Sequence, residues 1–252
     1  MEKNTKDSER WVYRSGAIAA FIAVIFFRRN LSAEFAAFNG FGLFVVPAQT
    51  PVSAAEWFAL LQTEPVTGLI LLNFFDVVNY LLVGVLFVAL FFALRREQPA
   101  LAPTALALAG AGILIFLISN QALSMLSLGN HYAAAGTDAQ RAALLIAGEA
   151  RLAIDNPGRV PSGAGALAAL LLVTLAILLF ALAMLRSPQF GKAAAWVGLL
   201  SAGLQLLYFP LLLLAPNWVT LPFVLSAPFR VAWYVLAALR LLRISKRNLT
   251  TD

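Results

Sequence analysis

The chain predicts an all-α fold, a polytopic membrane bundle of six transmembrane helices, and three observations predict it. Six segments reach or approach the roughly 20 mainly apolar residues that a spanning helix needs. Hydrophobic residues make up 61% of the 252 and charged residues only 12%, so the surface cannot be that of an ordinary soluble domain. The basic residues gather at the ends of the apolar segments, where topology signals stand, rather than along one face. One integral membrane domain, 1–252, is expected.

The first span is read at 11–27. It is the weakest, being short and holding Arg14, whose charge must reach the interface along its aliphatic stem. The stretch before it has the charged and apolar regions of a signal peptide. Arg28, Arg29 and Asn30 stand where the small residues of a cleavage site would be, so an uncleaved span is expected. An outer loop, 28–65, follows. In it Ser53 and Glu56 have capping-box spacing ahead of Trp57, Phe58, Leu60 and Leu61, and Pro65 closes the segment. This predicts a short helix lying at the membrane interface.

The second span, 66–94, carries Asn73, Asp76 and Asn79 three residues apart, which places them along one side of a helix. The third, 101–128, carries Asn120, Ser124 and Ser127 on one face with Gln121 beside it, and Gly136 is the first helix-ending residue beyond. A second outer loop, 129–161, repeats the capping spacing at Thr137 and Gln140. The helix after it has no clean apolar stripe, so it is expected to pack on protein, and Pro157 and Pro161 end it.

The fourth span is 162–185. The fifth, 193–215, has Ala194, Gly198 and Ala202 every four residues, a spacing that lets helix backbones approach closely. Ala105 and Ala109 share that spacing, as do Ala19 and Ala23, where it suits either internal packing or a partner subunit or second copy. The sixth, 221–242, carries Arg230 with Tyr234 four residues on. Pro210 and Pro228 remove a backbone donor each, leaving the carbonyls of Leu206 and Val224 as spare acceptors.

Counting Lys and Arg with Arg230 set aside gives twelve on one side and five on the other if both termini are cytoplasmic, which is the predicted topology. Asp76 and Arg230 are the two ionisable residues well inside apolar runs. A lone Asp or Arg at a helix centre costs about 2.5 to 3.5 kcal/mol, so each is expected to face the bundle interior and find partners. At about 1.5 Å per residue Asp76 and Arg230 both lie some ~13 to ~15 Å below the outer face, level with Asn120, Gln205 and Tyr208. This predicts one polar layer built from four helices, with Asp76 against Arg230.

Several chemistries are excluded. With no cysteine there is no disulfide, thiolate metal site or Cys nucleophile, and with His131 as the sole histidine no haem held by two histidines or His-rich zinc site. No metal and no cofactor are expected, no phosphate-binding glycine loop is present, and nucleic acid is not a partner because no continuous basic patch exists.

Three functions remain. The layer could bind or pass a small polar or anionic solute, with Arg230 holding the anionic group, Asp76 orienting Arg230 or titrating, and Asn73, Asn79, Asn120, Gln205, Tyr208 and Tyr234 supplying hydrogen bonds. It could only join helices, in a structural or regulatory subunit. Alternatively His131, Glu149 and Asp155 in the second outer loop could serve a membrane enzyme.

The stretches NFFDVVNYLLVGVLFVAL with ALRR, SNQALSMLSLGNHYAAA with TDAQRAALLIAGEA, and APFRVAWYVLAALRLLR resemble an uncharacterised bacterial family of six-helix integral membrane proteins, a domain of unknown function. The likeness covers most of 64–245. It implies fold and location in a bacterial cytoplasmic membrane, in contact with lipid, and it implies no activity.

Overall fold

The computed structural model describes the backbone of residues 2–34, 50–160 and 162–247, with side chains described for 9–25, 50–160 and 162–247. The signal-cleavage positions Arg28, Arg29 and Asn30, much of the expected first outer loop, and Pro161 therefore lie outside the described side chains.

Every described element is helical, as apolar runs without β-type alternation require. In order they are α1 Glu2–Glu34, α2 Ala54–Thr63, α3 Pro65–Leu71, α4 Phe74–Leu94, α5 Leu101–Ser119 and α6 Ala122–Ala134. There follow α7 Asp138–Leu152, α8 Ala164–Leu185, α9 Lys192–Leu206, α10 Tyr208–Leu214, a 3₁₀ turn Pro216–Trp218, and α11 Thr220–Arg247.

Among the described residues five helical segments are long and apolar enough to cross a membrane: Phe74–Leu94, Leu101–Ala134, Ala164–Leu185, Lys192–Leu214 and Pro216–Arg247. This corrects the expected six. The missing one, 11–27, belongs to α1, whose apolar run between Arg14 and Arg28 is 13 residues. That is about 20 Å of helix, short of a hydrocarbon core of about 30 Å. The arrangement with both termini cytoplasmic rested on an even number of crossings and falls with it. What stands is a multi-pass membrane protein, all helical, with polar residues buried inside its helices.

Three of the expected spans are also broken. The second is interrupted at Leu72 and Asn73, where Asn73 has a positive φ of 59°. The third is interrupted at Asn120 and Gln121, and the fifth at Leu207, three residues before Pro210. Proline explains the last, because its ring and missing N–H disfavour a helix continuing through the preceding turn.

The chain forms two compact units. One comprises Met1–Phe27, Asn79–Ile113 and Leu170–Asp252; the other comprises Arg28–Val78 and Leu114–Ala169. In the first, Phe87, Phe180 and Trp233 are fully buried, with the Phe87 and Phe180 rings stacked 5.4 Å apart and Phe87 6.5 Å from Trp233. The backbone of α1 fits against α4 because Gly16 has no Cβ to strike that of Ala89, and Ala17, Ala20 and Ala23 are buried beside it. Glu9 pairs with Arg95 at 3.2 Å and Arg96 at 3.5 Å, and Gln189 donates to Glu97 at 2.6 Å.

In the second unit, α2 packs on α6 and α7 around Trp57, Phe58, Leu61, Met125 and Leu152. The expected capping box at Ser53 and Glu56 is present, and Thr137 caps α7 through the Gln140 N–H at 3.2 Å. The interface reading of α2 changes, however. Its Trp57 and Phe58 are 0% and 1% exposed, so its aromatic face is part of a protein core and not a membrane-facing one. Gly148 makes that possible, since a Cβ there would sit 2.8 Å from both the Ala54 Cβ and the Phe58 ring.

Candidate functional site

Helices α9 and α11 run against each other through small residues on α9. Ala194, Gly198, Ser201, Ala202 and Gln205 are all buried, repeating at three and four, as one helix face must. Gly198 meets the indole of Trp233 so closely that an added Cβ would lie 2.5 Å from its Nε1. One turn further along α9 and one turn back along α11, the same packing brings Ser201 and Gln205 to Arg230.

Arg230 is 7% exposed. Its Nε donates to the Ser201 hydroxyl at 3.2 Å and its Nη2 donates to the Gln205 Oε1. Tyr234, one turn along α11 and 3% exposed, lies beside the guanidinium. Nε and Nη2 form one edge of the planar group, so two side chains spaced i and i+4 on α9 grip that edge as a fork. Within this unit the described partners of the charge are thus all neutral. Five N–H donors are present on an arginine, and Ser201 and Gln205 take two of them.

The expected site residues divide between the two units. Asn79, Gln205, Tyr208, Arg230 and Tyr234 fall in the first; Asn73, Asp76 and Asn120 fall in the second. Gln205 and Tyr234 join Arg230 as described. Asn79 is buried, and its Oδ1 has no hydrogen-bond partner. Tyr208 opens α10 beyond the Leu207 break and packs edge-on against Phe209 at 5.6 Å. Ser201 was missed by sequence reasoning, although its i, i+4 relation to Gln205 was there to be read.

In the second unit the two helix breaks are tied together. The Asn120 side-chain amide donates to the carbonyls of Leu72 at 3.3 Å and Asn73 at 3.2 Å, while its Oδ1 accepts from Ala122 N–H at 3.1 Å. Gln121 donates back to the Ser119 carbonyl at 2.5 Å. Asn73, Asp76 and Asn79 therefore do not lie on one continuous helix: Asn73 is in the break and Asp76 is in the first turn of α4. A carboxylate there meets the positive end of the helix dipole. Likewise Asn120 stands before α6, separate from Ser124 and Ser127 on it.

The outer-loop residues have separate surroundings. His131 is exposed in the last turn of α6. Glu149 accepts from Ala54 N–H at 2.6 Å, holding the start of α2. Asp155 is buried, and burial raises its carboxyl above the usual range, opposed by a hydrogen bond from Ser162. Among the described residues no three His, Asp or Glu side chains gather as metal ligands would.

No family model, curated protein or solved structure matches this chain.

Proposed function

We propose that this membrane protein binds, and passes or senses, a small anionic solute at Arg230. The observation that carries the reading is a guanidinium 7% exposed inside an apolar helix, held by the neutral groups of Ser201 and Gln205 with Tyr234 beside it. A guanidinium presents five N–H donors in a planar fork whose geometry matches a carboxylate or similar anion, and Ser201 and Gln205 account for two of them. The α9 partners hold the guanidinium in place, so that it need not reorganise when an anion arrives. Asn79 and Tyr208, in the same unit, are further candidates for the polar lining. The proposed location is a bacterial cytoplasmic membrane, with the basic ends at Arg95–Arg96, Arg186–Lys192 and Arg240–Arg247 facing the cytoplasm.

The test is thermal unfolding of the purified protein in detergent against chloride, phosphate, acetate and lactate, followed by tracer uptake of any stabilising anion into proteoliposomes. A ligand at 100 times its Kd stabilises by about 2.7 kcal/mol, well within detection. At least one anion should stabilise the wild type saturably, with the effect lost in Arg230→Gln and weakened in Arg230→Lys. A folded Arg230→Gln variant with the wild-type anion response would overturn the reading.

A further inference from the structure

Residues 153–160 and 162–163, between α7 and α8, fold back onto the chain entering α2. The Asn156 side chain donates to the Val52 carbonyl at 2.9 Å, its backbone N–H donates to the Ser162 carbonyl at 2.6 Å, and its Oδ1 accepts from Gly158 N–H at 3.0 Å. Gly158 lies so close to the Pro51 carbonyl that a Cβ would collide with it, and Gly163 is equally close to the backbone of Ile154. On the α2 side, Glu56 accepts from Val52 N–H at 2.8 Å and Ser53 N–H at 3.2 Å, and Glu149 takes the Ala54 N–H.

Asp155 lies inside this joint. It is 3% exposed, and its Oδ1 is buried with no hydrogen-bond partner. The neighbouring Ser162 hydroxyl favours the ionised form and so opposes the effect of burial. The charged groups on the surrounding elements are Asp138, Arg141, Glu149 and Arg151 on α7, Glu56 on α2 and Arg159 in the loop; all six are exposed, and the start of α8 has none. Among the described residues of these elements, therefore, no cation is buried with the carboxyl. An ionised carboxylate so placed is far more costly to bury than a neutral acid.

We propose that Asp155 is a proton-operated latch, its neutral acid form permitting the chain at Asn156 and Gly158 to close on the start of α2 and loss of the proton opening that joint. This stands apart from the anion reading at Arg230 and does not depend on it. The sign is set by burial. The folded-state pKa lies above that of the unfolded chain, near 3.9, so the joint is most stable below that value and loses stability as pH rises through the raised one.

The experiment is hydrogen–deuterium exchange of the intact protein between pH 4 and 8.5, following peptides that cover 50–60 and 150–164, in wild type, Asp155→Asn and Ser162→Ala. After correction for intrinsic exchange, the wild-type joint should lose protection by up to about tenfold per pH unit between the open-state pKa near 3.9 and the raised pKa, the slope of one proton, and level off above it. Asp155→Asn should be flat with pH. Ser162→Ala, which removes the hydroxyl favouring the ionised form, should carry the levelling-off to higher pH and so decides the matter should Asp155→Asn not fold. Parallel pH profiles in wild type and Asp155→Asn would overturn the latch, as would an unshifted Ser162→Ala profile. Protection that follows added calcium or its chelation, and not pH, would likewise overturn it in favour of a cation site.

Discussion

Asn120 engages backbone with both ends of its amide, joining the break between α3 and α4 to the break between α5 and α6. Removing it leaves the Leu72 and Asn73 carbonyls without their donor in a setting where water is scarce. Asn120→Ala should therefore lower stability by about 1 to 3 kcal/mol, read as a fall in unfolding temperature in detergent. A melting curve matching wild type would remove Asn120 from that role. Asn73 at φ 59° sits where a β-branched side chain strains the backbone, so Asn73→Val should destabilise by about 1 to 2 kcal/mol and Asn73→Gly should not. Gly198 has no room for a methyl group beside Trp233 and Ala181. Gly198→Ala should cost about 1 to 3 kcal/mol and weaken anion binding through the shifted α9, a pairing that a distant surface substitution would not reproduce. The Ala194, Gly198, Ala202 repeat announced that close approach, whereas nothing in the one-dimensional pattern said that Trp233 would be the neighbour.

At the scale of elements, the start of α2 collects three separate caps: Ser53, Glu56 and, from α7, Glu149. The Ser53 and Glu56 pair was readable from spacing alone, because a capping box is a local device. Glu149 was not readable, since 95 residues separate it from Ala54. Ser53→Ala should cost about 0.5 to 2 kcal/mol and raise amide exchange at Val52–Trp57 with little change in α6. The backbone N–H groups of Val52 and Ser53 hold Glu56 below the ordinary carboxylate pKa. Its contribution is accordingly present at neutral pH and is lost as pH falls below the ordinary range, near 4.3. The same peptides should thus exchange faster in acid in wild type but not in Glu56→Gln, which already lacks the charge. Burial of Trp57 and Phe58 reversed the interface reading of α2, because an aromatic cluster on a short helix looks alike whether it meets headgroups or α6 and α7.

At the scale of the whole molecule, absence of cysteine gives a clean background for mapping the crossings. Ala100→Cys and Lys192→Cys, both exposed and beside basic helix ends, should react with a membrane-impermeant maleimide from the cytoplasmic face. Asp138→Cys, beyond the candidate span Leu101–Ala134, should react from the other. Labelling of Ala100→Cys and Asp138→Cys from the same face would remove that span from the five.

By itself the sequence determined that this chain is helical, crosses a membrane several times, closes two helices with Ser53 and Thr137, and buries an arginine among polar residues. Those properties follow from composition, period and local spacing, each carried by neighbouring residues. Only tertiary structure decided where the spans break, because an apolar run is compatible with helix throughout and a break survives only when a distant group such as Asn120 satisfies the released carbonyls. It also decided that Ser201 and Gln205 hold Arg230, and that the helix expected from Val66 to Leu94 is interrupted at Asn73, which makes Asp76 a first-turn residue of α4. The fork of Ser201 and Gln205 arises from α9 pressing on α11 at Gly198, and Asp155 is buried where Asn156 and Gly158 meet the chain entering α2. Both are consequences of packing between segments far apart in the chain.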